Sequence, residues 1–87
     1  FRTGDKLPVY LYRDLFVGKS GDDVSFLQTL LKIEGYGKDY EPIGYFGMKT
    51  KRDVSLFQAS AGIDPTFGYC GVKTRALLMN RWSSYQF

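Results

Sequence analysis

An all-α fold is predicted for this 87-residue chain: a small three-helix bundle built from repeated turn-helix units, with an extended N-terminal arm. Two internal repeats carry the prediction. Gly44-Tyr45-Phe46-Gly47-Met48-Lys49-Thr50 returns 24 residues later as Gly68-Tyr69-Cys70-Gly71-Val72-Lys73-Thr74, keeping Gly, Tyr, Gly, Lys and Thr. Asp23-Val24-Ser25-Phe26-Leu27-Gln28 returns 30 residues later as Asp53-Val54-Ser55-Leu56-Phe57-Gln58, with its two apolar residues exchanged. One turn used twice and one helical phrase used twice describe stacked copies of a helical unit.

Each element follows from local chemistry. Residues 1–19 lack a helical period, and Pro8 with the alternation Val9, Leu11 predicts an extended arm lying on the domain. Ser20-Gly21-Asp22-Asp23 opens the first helix, with Ser20 expected as N-cap and Asp23 completing a capping box. Val24, Leu27 and Leu31 form one apolar stripe and Phe26, Leu30 and Ile33 a second, so this helix is covered on two sides. Gly35 is its expected C-cap. The segment Tyr36 to Ile43 is rich in turn formers and aromatic hydroxyls and too long for a minimal connection. The second helix is expected from just after Gly47 to about Ala61, burying Val54, Phe57 and Ala61 and exposing Lys49, Lys51 and Arg52. Gly62 and Pro65 end it. The third follows Gly71 and reaches Arg81 or Trp82, with Val72, Ala76 and Met79, flanked by Leu77 and Leu78, as its buried side. The resulting division is 1–14 as arm or linker, 15–82 as the domain and 83–87 as a tail.

Composition bounds the function. The chain is long enough for one domain with a modest core, and no run approaches the length of a membrane span. Phe1 is neither an initiator nor part of a signal sequence, so the chain reads as an excised or processed module. A formal charge of +3 favours anionic partners in general without the clustering of a nucleic-acid stripe. The basic residues Lys49, Lys51, Arg52, Lys73, Arg75 and Arg81 are interrupted by Asp53 and read as solvated helix faces, so no nucleic-acid partner is expected. With no histidine, neither Cys70 nor any serine has an imidazole to activate it, and the usual His-based zinc sites are excluded. Asp39, Glu41 and Asp64 could form a carboxylate pair only where a deep cleft raised one pKa, which three short helices do not offer. No catalytic residue, cofactor or metal is therefore expected. Single Cys70 excludes an intramolecular disulfide, and at the position of Phe46 in the repeat it reads as a buried apolar thiol.

The repeated turn has a physical logic. Its first glycine is expected at positive φ and its second beside the helix N-cap. Phe46 and Cys70 then point inward, Thr50 and Thr74 satisfy local backbone groups, and Tyr45 and Tyr69 lie toward solvent beside helix N-termini. Two aromatic platforms beside two weak anion sites suit a carbohydrate and carboxylate surface. The alternative, that both rings only staple the turns, stays open.

The ordered series Leu15-x-x-Gly18-x-x-Gly21-x-Asp23-Val24-x-x-Leu27-Gln28-x-x-Leu31, Gly35-Tyr36, Gly44-x-Phe46-Gly47-x-x-Thr50-x-x-x-Val54-x-x-Phe57-Gln58, Gly62-Ile63, Gly68-x-x-Gly71-x-x-Thr74-x-x-x-Leu78 resembles the three-helix peptidoglycan-binding domain of bacterial wall hydrolases. The resemblance spans residues 15–80. It implies a non-catalytic, extracytoplasmic module of the cell wall, the periplasm or a phage particle, which tethers an attached catalytic or envelope domain to murein without membrane insertion. The family's usual aspartate before each turn glycine is replaced here by Ile43 and Phe67. Expected ligand contacts are Tyr45, Tyr69, Tyr40, Lys49, Lys73 and Arg75, with Asp64 as a partner for a stem-peptide ammonium. Such exposed contacts give affinities on the order of micromolar to millimolar. The competing expectation is a structural module in an envelope or virion assembly that binds no free muropeptide.

Overall fold

The computed structural model of the protein describes residues 11–37, 43–64 and 66–85, with side chains through residue 82. Three helices follow in order, α1 Asp22–Ile33, α2 Met48–Ala61 and α3 Val72–Tyr85, and among the described residues there is no strand beyond two isolated bridges. Pro8, Val9, Asp39, Tyr40 and Glu41 lie outside the described residues.

The core is the one that the apolar stripes require. Val24, Phe26, Leu27, Leu30 and Leu31 of α1 meet Val54 and Phe57 of α2 and Leu78 of α3 in one cluster. Phe46 and Cys70, equivalent in the repeated turn, are both fully buried in it. Leu11 and Leu15 close it from the N-terminal side. Ile33, at the end of the second expected stripe, is instead exposed.

A strap preceding α1 links both turns. Leu15 pairs with Cys70 through two backbone hydrogen bonds of 3.0 and 2.8 Å. Five residues on, Ser20 bridges Tyr45, flanked by Phe46 N–H donating to the Lys19 carbonyl at 2.8 Å and Gly21 N–H to that of Gly44 at 2.9 Å. The expected capping box at Ser20 does not form: Gly21 occupies the N-cap and no side chain caps the helix. Asp23 is drawn elsewhere, accepting from Arg13 Nε at 2.6 Å, Arg13 Nη2 at 3.1 Å and the Val24 N–H at 3.0 Å. A guanidinium fork offers a carboxylate two charge-assisted bonds where a helix end offers weaker ones.

Burial works to raise the Asp23 pKa, but the Arg13 hydrogen bonds and charge, with the Val24 N–H, outweigh it and hold the carboxyl below the usual carboxylate range. The stability this contributes is therefore present above the unfolded carboxylate pKa and is lost as pH falls through the lower, folded one. Arg13→Gln is expected to move the midpoint of acid unfolding to higher pH, as followed by circular dichroism. An unchanged midpoint would mean that the pair adds nothing.

Both described helix C-termini close alike. The Tyr36 N–H reaches back to the Leu31 carbonyl at 2.8 Å, and the Ile63 N–H to that of Gln58 at 2.9 Å. Gly35 and Gly62 take the left-handed φ values of 102° and 74° that make this reversal possible. Glu34 is the C-cap of α1, and Gly35 lies one residue beyond. The third helix extends past the expected Arg81 or Trp82 to Tyr85, since no Gly or Pro interrupts residues 81–85. Trp82 meets the Phe26 ring edge-on at 5.5 Å. The buried side of α3 also differs: Thr74 and Leu78 are buried, with Leu77, Met79 and Trp82 partly so, while Val72 and Ala76 face solvent.

Two glutamines explain why helical phrase and turn repeat together. Gln28 Nε2 donates to the Tyr45 carbonyl at 2.8 Å and Thr50 Oγ1 at 3.0 Å, while its Oε1 accepts the Gly44 N–H at 3.0 Å. Gln58 does the same to the Tyr69 carbonyl, Thr74 Oγ1 and the Gly68 N–H, at 2.8, 3.0 and 3.0 Å. Each glutamine thus fastens the turn that follows its helix. The hydroxyls of Thr50 and Thr74 accept from these amides and so complete the buried networks.

Candidate functional site

The glutamine clamps determine what the turns present. With Gly44 and Gly68 held at φ 83° and 81°, the next residue is turned outward and the one after it inward. Tyr45 and Tyr69 accordingly emerge half-exposed over Phe46 and Cys70. Each tyrosine ring lies along the turn's second glycine, so that a Cβ built on Gly47 or Gly71 would sit 3.5 Å from it.

Tyr69 is fixed more firmly than that. Its hydroxyl donates to Asp14 Oδ2 at 2.8 Å and its ring stacks on Phe16, with centroids 5.1 Å apart and planes 8° apart. Arg75 Nη2 donates to the other oxygen of Asp14 at 2.7 Å. The hydrogen bond to Asp14, then burial and the aspartate's charge, raise the Tyr69 pKa, with Arg75 acting against them. The phenol therefore stays protonated and the ring stays placed. Arg75, expected to contact ligand, serves here as a strut behind Tyr69. Cys70 is sealed beneath, where burial pushes its thiol up to about 12.

Two shallow hollows flank this ring and a third adjoins the first. One, of about 570 Å³, is lined by Phe16, Val17, Lys51, Phe67, Gly68 and Tyr69. A second, of about 210 Å³, lies on the other side of Tyr69 and is lined by Asp64, Lys73 and Val72 with Gln58, Ile63, Gly71 and Thr74. A third, of about 480 Å³, shares Lys51 and Phe67 with the first and continues to Met48, Arg52, Ser55 and Thr66. The result is one track from Asp64 and Lys73, past Tyr69 and Phe67, to Met48. Among the described residues lining the first and third hollows none is acidic.

Of the residues singled out in the sequence, Tyr69, Lys73 and Asp64 come together around the second hollow. Tyr45 and Lys49 are exposed at the first turn and line none of the three. Tyr40 lies outside the described residues. Phe16, Val17 and Lys51 escaped sequence reasoning, because the strap has no period to assign its faces and Lys51 reads as an ordinary solvated lysine. Phe67 carried a signal in its place before the turn glycine. Chemically the track offers aromatic and aliphatic surface, cations and one carboxylate.

The family model for the peptidoglycan binding domain matches residues 20–78. The SleB N-terminal domain superposes with a TM-score of 0.76 at 32% identity, covering 84% of this chain and 97% of that one. An endolysin of Burkholderia AP3 phage gives a TM-score of 0.70 at 34% identity, covering 77% of this chain and 25% of the endolysin. A peptidoglycan-binding protein from Clostridioides difficile, solved with glutamine hydroxamate, gives 0.73 at 28% identity, covering 80% and 42%. The chain thus spans under half the length of these last two proteins and nearly all of the first. Comparison with curated protein sequences gives no match.

Proposed function

The chain belongs to the peptidoglycan-binding domain family, and from that premise we propose that it holds murein along the track through Tyr69, Phe67 and Lys51 without itself performing chemistry. The observation that carries this reading is the adjacency of three hollows that share Tyr69, Phe67 and Lys51 as walls and together offer apolar surface and cations. Aromatic rings present flat apolar surface to sugar faces and stem-peptide alkyl groups. Lys51 and Lys73 meet carboxylates as point charges. Gly47 caps α2 without a side-chain bond and neither α2 nor α3 has an acid in its first turn, so their dipoles favour the same anions. Asp64, beside Lys73, suits a stem-peptide ammonium. A face this shallow binds weakly, and a covalently attached catalytic or envelope domain would convert weak contact into retention at the wall by avidity. No helix of the described residues is long and apolar enough to cross a membrane, which fits a module working on the wall.

The test is sedimentation of the full chain with insoluble murein sacculi, at low and high salt and against chitin. Retention by sacculi well beyond chitin is expected, persisting in part at high salt because apolar contact is not screened. Phe67→Ser combined with Lys51→Gln should reduce retention at least fivefold with the circular dichroism unchanged. Failure to sediment would replace this reading with a structural role among protein partners, and full retention by the double variant would move the face elsewhere.

A further inference from the structure

The two turns repeat more than their glycines and buried residues. A shift of 24 residues carries Ile43 onto Phe67, Tyr45 onto Tyr69 and Met48 onto Val72. All six are exposed: 72, 50 and 67% in the first turn and 72, 46 and 70% in the second. Lys49 and Lys73 follow in the same register and are exposed as well.

Folding accounts for the half-buried tyrosines, whose rings lie along Gly47 and Gly71 and of which Tyr69 is held by Asp14 and Phe16, but not for the match of Ile43 with Phe67 and of Met48 with Val72. A side chain left two-thirds in water removes little apolar area from it and adds correspondingly little stability. The fold's own demands on the repeat are met by Phe46 and Cys70 inside and by the two glutamine clamps. The lysines oppose local preference too, since the first turn of a helix is its positive end and favours acids. The chain places a cation there twice.

The two copies also meet at one hollow. Met48 of the first and Phe67 of the second line the same hollow, with Lys51 between the copies. The strap meets the second turn at Leu15 and the first at Ser20. Five residues of chain reach at most about 18 Å, which bounds the separation of those two attachment points.

We infer that the face holds two equivalent subsites, Ile43-Tyr45-Met48-Lys49 and Phe67-Tyr69-Val72-Lys73, which take neighbouring repeats of a polymer whose unit carries both an apolar group and a carboxylate. This rests on the murein reading above, in which that polymer is the peptide-bearing glycan. The charge pattern selects the unit: each apolar triad has a lysine and a helix N-terminus at its edge, complementary to one carboxylate per repeat. A compact ligand fills one subsite. A chain fills both, and its second contact forms at the effective concentration set by the link between its units.

Affinity of the full chain is compared for a single disaccharide-peptide unit and for soluble chains of four or more units, expressed per unit. Chains are expected to bind at least tenfold tighter per unit. Ile43→Ser with Met48→Ser should abolish that gain, and so should Phe67→Ser with Val72→Ser, because one surviving subsite cannot bridge repeats. All four positions are exposed, so the circular dichroism should hold; should either pair misfold, Ile43→Ser and Phe67→Ser alone carry the same expectation. A gain below tenfold, or one that survives removal of either subsite, would overturn the two-subsite arrangement while leaving murein binding intact. Absence of binding to both ligands would overturn the murein reading and this inference with it.

Discussion

Gln58→Leu is expected to remove a large share of the stability of this domain, and Gln28→Leu to do nearly the same. Each substitution keeps an apolar side chain of similar length in the core but deletes one amide that makes three hydrogen bonds. Without Gln58, the Gly68 N–H, the Tyr69 carbonyl and Thr74 Oγ1 lose that partner around a site where Gln58, Gly68 and Thr74 are all buried. The Tyr69 carbonyl keeps the Gly71 N–H at 3.1 Å, so two groups are left unpaired, and at about 1–3 kcal/mol for each the loss is roughly 2 kcal/mol or more. A domain of this size has only some 4–13 kcal/mol in total. Urea unfolding measures the effect, with Thr74→Val, which breaks one of the three bonds, as the graded control at about 1 kcal/mol. A loss below about 1 kcal/mol for Gln58→Leu would show that the amide does not hold the turn.

Gly68→Ala and Gly44→Ala should differ sharply although the two glycines occupy the same place in the repeat. Both lie at positive φ, where a Cβ costs about 1–2 kcal/mol. At Gly44 the nearest atom to an added Cβ is the Gly21 carbonyl oxygen at 3.2 Å, at the start of α1, which a shift of a few tenths of an ångström relieves. At Gly68 the added atom would fall 2.5 Å from the backbone oxygen of Lys51, inside α2, and 2.5 Å from the Lys51 Cγ. A helix carbonyl cannot move without disturbing its own ladder, so the second turn must shift instead. Gly44→Ala is expected to lose about 1–2 kcal/mol and Gly68→Ala more than about 3 kcal/mol. Because Phe67, Gly68 and Tyr69 line one hollow, Gly68→Ala should also weaken retention on sacculi where folded protein survives. Equal losses at the two positions would mean that α2 accommodates the 2.5 Å approach as readily as the start of α1 accommodates 3.2 Å.

These contrasts show where reading along the chain succeeds and where it stops. The three helices, the two positive-φ turns and the inward placing of Phe46 and Cys70 were all legible, because each depends on residues within a turn or two of itself, whereas the caps of α1 and the end of α3 came out differently. Most of the core was legible for the same reason in α1 and α2, whose apolar spacing is close to the helical period. In α3 the spacing misleads: Val72 and Ala76 share a face by period, yet the neighbouring elements cover Thr74 and Leu78. Apolar residues at the start of that helix belong to the exposed face instead.

The candidate site divides along the same line. Tyr45 and Tyr69 could be placed outside from the turn alone, and Lys73 and Asp64 could be named as charged groups near it. That Lys73 and Asp64 share a hollow with Tyr69 depends on how α3 docks. That Arg75 pairs with Asp14 depends on a residue 61 positions away.

Local chemistry in the chain thus set the three helices, the paired turns and the two tyrosine platforms, because backbone geometry and periodicity act over a few residues. Partner choice was left to packing. Ser20 lost its capping role when Arg13 reached Asp23, Thr50 and Thr74 turned to glutamines on the preceding helices, and Phe16, Val17 and Lys51 became part of one face with Phe67. Charged and polar side chains reach several ångströms and take the strongest partner that the fold brings near, and that competition is settled by which segments meet in space.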